Sequence, residues 1–200
     1  MCIRDRYFIQ AEDQLRDTPI ILHRLGPARG PEYINWLGKQ LPRGAIIGMD
    51  GMLCSLNQNR SIVKILHRHG LEFENNHDLI DKVWADRPPI PTADIFELSS
   101  TLAGKDRSQK FEEIRKEMSE QEADHYLLSA LDEIAWTFNL RGRDVEFNPV
   151  FVAYAIVTLD KVILFTDVQK ISQELKKKLS EDGILLNDYQ AITHFIIVLS

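Results

Sequence analysis

Three prolines within four positions, Pro88, Pro89 and Pro91, constrain this 200-residue chain more than any other feature. The segment Asp86-Arg87-Pro88-Pro89-Ile90-Pro91 can neither continue a helix nor sit in a central strand. It favours an extended, semi-rigid backbone, as a connector between domains does. The chain is therefore expected to divide into residues 1–87, a linker at 88–92, and residues 93–200. At about 150 residues per domain, two small domains fit the length. Hydrophobic residues make up 44% and charged residues 27%, too apolar a mix for intrinsic disorder.

Hydrophobic spacing gives the same architecture on both sides of the break. Before it, Pro31–Leu41 places Ile34, Leu37 and Leu41 at helical intervals, with Pro31 in the first turn. Ala45–Met49 reads as a buried strand, Ser55–His69 as a helix stopped by Gly70, Leu71–Glu74 as a strand and Asp78–Trp84 as a short helix. After it, Ser108–Glu122 reads as a helix with Phe111, Ile114 and Met118 on one stripe. His125–Leu128 reads as a strand, and Ser129 with Asp132 as a capping pair opening helix Leu131–Phe138. Val150–Thr158 and Lys161–Thr166 read as a hairpin. Val168–Leu179 carries Val168, Ile171, Leu175 and Leu179 at helical spacing. An apolar helix is expected to follow at His194–Ser200. Alternating strands and helices predict two α/β units with helices packed on their sheets.

Charge and motifs exclude several classes of function. Lys plus Arg is 24 and Asp plus Glu is 30, a net charge of −6. Such a chain offers no basic face for non-specific nucleic-acid binding. No apolar run approaches the roughly 20 residues of a membrane helix. Cys2 and Cys54 form neither a CxxC pair nor a disulfide framework, so a reduced, cytoplasmic setting is expected. Cys54 precedes a predicted helix but has no evident base partner, and reads as a structural thiol. His67 and His69 lie on different helix faces, while His23, His77, His125 and His194 are isolated. None has zinc-site spacing. The carboxylates Glu112, Glu113, Glu117, Glu120, Glu122 and Asp124, interleaved with Lys110, Arg115 and Lys116, read as a solvated helix face. Lys176-Lys177-Lys178 suits the negative end of a helix. Neither GxSxG nor a phosphate-binding GxxxxGK[ST] occurs.

What remains is Leu128–Pro149, LSALDEIAWTFNLRGRDVEFNP, a polar stretch between a helix and an apolar strand, where sites tend to be built. Asp132 as a cap, Trp136 as packing and Gly142 as a turn would also explain it. Ala130-Leu131-Asp132-Glu133-Ile134-Ala135-Trp136, Asn139-Leu140-Arg141-Gly142 and Asn148-Pro149-Val150-Phe151 resemble the second domain of Xaa-Pro aminopeptidases (aminopeptidase P). These are three-domain members of the creatinase/prolidase, or pita-bread, metallopeptidases. Trp84-Ala85-Asp86-Arg87-Pro88 resembles the family's interdomain junction, Gly48-Met49-Asp50 its first-domain strand, and Arg6-Tyr7-Phe8-Ile9-Gln10-Ala11 the end of its D-G-R-Y-F segment.

The resemblance implies two creatinase N-terminal-type, ribonuclease-H-like α/β domains with mixed sheets flanked by helices, the first incomplete and the second C-terminally truncated. It implies removal of the N-terminal residue from peptides with proline in second position. In the family two divalent metals, typically manganese, activate a hydroxide in a C-terminal pita-bread domain, so no metal ligand or catalytic residue is expected in residues 1–200. The substrate-facing family arginine corresponds to Arg6, although the preceding glycine is replaced by Asp5. Arg141 and Asn148 are further candidates, on a loop facing the catalytic domain, and a role in fixing that loop fits them equally. Met1–Arg6 is also expected to be translated adapter sequence, and the chain to be truncated at both ends. The chain alone is expected to be inactive. The parent is expected to be cytoplasmic, homodimeric, and free of membrane and nucleic-acid partners. The alternative is a catalytically dead relative that binds proteins or peptides, as the large subunit of the histone chaperone FACT does.

Overall fold

The computed structural model describes residues 3–24 and 32–199, with side chains described from 7 to 24 and from 32 to 198. The chain separates into two compact units, Met1–Pro88 and Pro89–Ser200. The first contains α1 (Ile3–Gln14), α2 (Glu32–Gln40), β1 (Ile46–Gly48), α3 (Leu56–His69) and β2 (Glu72–Glu74). β1 and β2 run parallel, with Ile47 opposite Phe73, and α3 makes the crossover that a parallel pair requires. Ser55 opens α3 with a capping box to Gln58, and Gly70 closes it at φ 71°, a left-handed position that glycine occupies without strain. The core is small: Ile34, Ile62, Leu66 and Leu71, with half-buried Cys54 at its margin.

One helix expected in this unit is absent. Asp78–Trp84 forms turns, not a helix. The Asp78 carboxylate accepts from the Asp81 N–H at 3.0 Å and from Arg87 at 2.8 Å. A segment this short, with prolines following, cannot repay helix nucleation, and the aspartate supplies an alternative turn. Pro31, expected in the first turn of α2, lies outside the described residues, as do Met1, Cys2 and Ser200.

The second unit contains β3 (Phe96–Glu97), α4 (Ser100–Ala103), α5 (Arg107–Glu120), β4 (His125–Leu128), α6 (Leu131–Thr137), β5 (Leu140–Arg141), β6 (Ala153–Thr158), β7 (Val162–Thr166), α7 (Gln173–Glu181), β8 (Ile184–Asn187) and α8 (Ala191–Leu199). Its main sheet has the order β4-β6-β7-β8. The first two pairings are antiparallel and β7 with β8 is parallel, so the sheet is mixed. β3 pairs separately with β5.

Strand periodicity explains why β6 and β7 are apolar throughout. Ala155, Val157, Val162 and Leu164 point into the larger core, with Phe111, Phe138 and Phe151. Ile156, Ile163 and Phe165 point to the opposite face, where Ile192 of α8 covers them. Both faces are therefore buried, and each large side chain contributes about 1.5–3 kcal/mol.

Local hydrogen bonding redraws three boundaries. The expected Ser129–Asp132 capping pair does not form: the N-cap is Ala130, without a side-chain cap. The helix starts one residue late for that pairing. The Val150–Thr158 strand shortens to Ala153–Thr158, because the Asp144 carboxylate takes the Val152 N–H at 2.7 Å. Val168–Leu179 is not one helix. Asp167 caps a 3-10 turn over Val168–Lys170, and Ser172 then caps α7 by accepting from the Leu175 N–H. Two caps five residues apart break the segment at Ile171, which bridges to Ile95.

Candidate functional site

The Leu128–Pro149 stretch is built around a buried lysine. α5 was expected to carry Lys110 on its solvated face, yet Lys110 is only 1% exposed. Its ammonium donates to the Trp136 carbonyl and to Asn139 Oδ1, both at 2.6 Å. It also lies 4.0 Å from the centroid of the Trp136 ring, a cation–π contact. Burial, together with the charges of Arg141, Lys105 and Arg107, holds the Lys110 ammonium below the ordinary lysine range. Arg115, expected on the same solvated face, donates from Nε to the Thr158 carbonyl at 2.9 Å. Periodicity contains a signal for the lysine: Lys110, Ile114 and Met118 recur every four residues on one face of α5. A cation on an apolar stripe has to find its partners inside the fold.

Asn139 completes this corner. Its φ of 51° lies in the left-handed region, where asparagine is favoured among non-glycine residues. Its amide donates to the Lys105 carbonyl at 2.8 Å. The two ends of one side chain thus tie the turn from α6 into β5 to Lys110 of α5 and to Lys105 just before that helix. Arg141 follows, and its guanidinium donates to the carbonyls of Ala135 at 2.6 Å and Leu140 at 2.8 Å. Gly142 then passes against Phe151. A Cβ there would stand 2.6 Å from the Phe151 Cβ and 3.0 Å from the Val150 carbonyl oxygen. Gly142→Ala is expected to cost about 1–3 kcal/mol, read as a lower urea midpoint with an unchanged slope.

The loop beyond Gly142 is anchored by a second buried charge. Asp144 and Lys170 form an ion pair whose side chains are 0% and 2% exposed. The loop tip is open, with Phe147 98% exposed at φ 61°. Asn148 is exposed, and its N–H returns to the Val145 carbonyl at 3.2 Å. Arg6 has a helical backbone within α1, and its side chain lies outside the described residues.

Between α5, β4 and α6 lies a groove of about 480 Å³. Ile114, Leu128 and Thr137 form its floor, Tyr126 and Trp136 its aromatic walls, and Asp132 and Glu133 its rim. The histidines converge on nothing comparable. His77 Nε2 lies 2.7 Å from Glu74 Oε2, and His23 packs against Trp36. Among the described residues no three His, Cys, Asp or Glu side chains are placed to hold a metal ion. That donor set does not fit a dinuclear centre.

The profile of the creatinase/prolidase N-terminal domain matches residues 86–200. The chain belongs to the creatinase/prolidase N-terminal-domain family. The mixed sheet flanked by helices is the fold of that family, and relatives extend the likeness over almost the whole chain. A protein of Botryotinia fuckeliana named as a probable Xaa-Pro aminopeptidase P is 37% identical over 192 residues, covering 94% of this chain and 29% of its own. A protein of Leptosphaeria maculans with the same name is 36% identical, covering 98% and 32%. The X-prolyl aminopeptidase of Caenorhabditis elegans, described as a cytosolic enzyme with a di-nuclear active site, superposes with a TM-score of 0.82 at 26% identity. That alignment covers 96% of this chain and 31% of the nematode enzyme. The chain therefore spans about a third of the length of these relatives. Among the described residues, no helix is long and apolar enough to cross a membrane.

Proposed function

We propose that these 200 residues supply the non-catalytic N-terminal region of a metal-dependent Xaa-Pro aminopeptidase, which releases the first residue of peptides with proline second. The observation that supports it is coverage. Relatives bearing that name align with 94% and 98% of the chain, not with one motif alone. A bond to proline resists general peptidases because its nitrogen carries no hydrogen and its ring fixes φ. An enzyme for it needs walls that admit a short, kinked N-terminus, and rigid accessory α/β units supply such walls.

In this reading the two divalent metals, manganese by preference, belong to a separate catalytic region, and no step runs through a residue of this chain. Residues 1–87 and 93–200 act as two creatinase-type domains joined at 88–92. Arg6 recognises substrate, while Arg141 and Asn148 shape the loop facing the catalytic region. The parent enzyme is a cytoplasmic homodimer acting on proline-containing peptides. The test compares these 200 residues with the product of the entire reading frame, both supplied with manganese. Peptides with proline or alanine in second position are assayed for release of their first residue. The longer product is expected to act only on the proline peptide and to lose activity with a chelator, and the 200-residue chain to be silent. Turnover by the chain alone, or none by the longer product, would overturn the reading.

A further inference from the structure

The Trp136 groove has the chemistry of a docking site. We propose that it binds a segment of a partner protein carrying lysine or arginine beside an apolar residue.

Trp136 is a held platform and not a loose surface side chain. Lys110 grips its backbone carbonyl and lies against its ring, yet the residue is 49% exposed. Tyr126 beside it is 42% exposed. Exposed aromatic residues held in place by buried neighbours are the usual anchors of protein interfaces. The groove's volume, about 480 Å³, accommodates side chains of an incoming segment.

Charge selects the occupant. Among the described residues neither Asp132 nor Glu133 pairs with a lysine, arginine or histidine. They stand in the first turn of α6, where the helix favours carboxylates, and their charge is left to face the groove. Lys110 already lies against the Trp136 ring, so a second cation gains little from it. The ring is left to an apolar group, and the partner's cation goes to the rim. A second copy of this chain is the wrong partner, because it would bring another net −6 against the same carboxylates.

The test follows the indole N–H resonance of Trp136 in the 200-residue chain, assigned through Trp136→Phe. The probe is a blocked octapeptide with lysines flanking a leucine-proline pair. A counterpart with glutamates replacing the lysines is the control. The lysine peptide is expected to shift the resonance saturably and the glutamate peptide to leave it in place. Asp132→Asn with Glu133→Gln is expected to weaken binding on the order of tenfold. Glu146→Gln with Glu174→Gln removes the same charge away from the groove and should leave affinity unchanged. No saturable shift, equal binding of both peptides, or indifference to the rim substitutions would overturn the proposal. A Trp136 resonance that responds to protein concentration and not to peptide would put a second copy there, which also overturns it.

Discussion

Asp144→Ala is expected to lower the unfolding free energy of the Pro89–Ser200 unit by about 3–5 kcal/mol. Removing the carboxylate leaves the Lys170 ammonium buried, since its side chain is 2% exposed and Asp144 is its ion-pair partner. It also deprives the Val152 N–H of its acceptor, held now at 2.7 Å. Asp144→Asn isolates the first effect, because its amide oxygen still accepts from Val152 while the charge is lost. Lys170→Met removes the opposite partner and should be comparably harmful. The double substitution Asp144→Asn with Lys170→Met should recover much of the loss, because the buried charges leave together. Urea denaturation followed by far-ultraviolet circular dichroism measures all four. Losses below about 1 kcal/mol for the single variants would show that the pair behaves like a surface ion pair.

Lys110→Ala should cost the same unit about 3–5 kcal/mol, combining a cavity at a 1%-exposed position with two abandoned acceptors. Lys110→Met keeps most of the volume and should cost less, which separates packing from hydrogen bonding. A pH signature accompanies the loss. Burial favours the neutral amine in the folded state, so the folded pKa lies below the unfolded one. Between the two values the unfolded chain holds a proton that the folded chain has released. Stability attributable to Lys110 therefore rises with pH across that alkaline interval. Comparing wild type and Lys110→Met over that range should show this slope in the wild type alone. A wild type that loses stability there at the same rate as the variant would contradict the assignment.

The same lysine shows where reading the residues fell short. Assigning α5 its polar face from charge alone put Lys110 in water, although its spacing with Ile114 and Met118 puts it on the buried stripe. Arg107 is a parallel case: it lies three and four residues before Lys110 and Phe111, is 6% exposed, and pairs with Glu97. Periodicity located that stripe correctly, and chemistry was misjudged because a buried cation is acceptable only where partners await it. Those partners, Asn139 and the Trp136 carbonyl, are 29 and 26 residues away in the chain. β8 is another gap. Ile184–Asn187 alternates too briefly to declare itself, and becomes a strand by pairing with β7.

Contiguous residues already carried the apolar hairpin of β6 and β7, helices α3 and α5, and the family through its Ala130–Phe151 block. These are local signals: period-two and period-3.6 burial, and an unbroken motif. Only the folded chain shows that Asp144 takes a backbone N–H from the expected start of β6 and that Lys110 and Lys170 are interior. Each of these depends on a hydrogen bond or ion pair to a residue of another segment, 8 to 29 positions away. Burial of a charge is settled by whether such a partner arrives, and spacing along one segment carries no record of that.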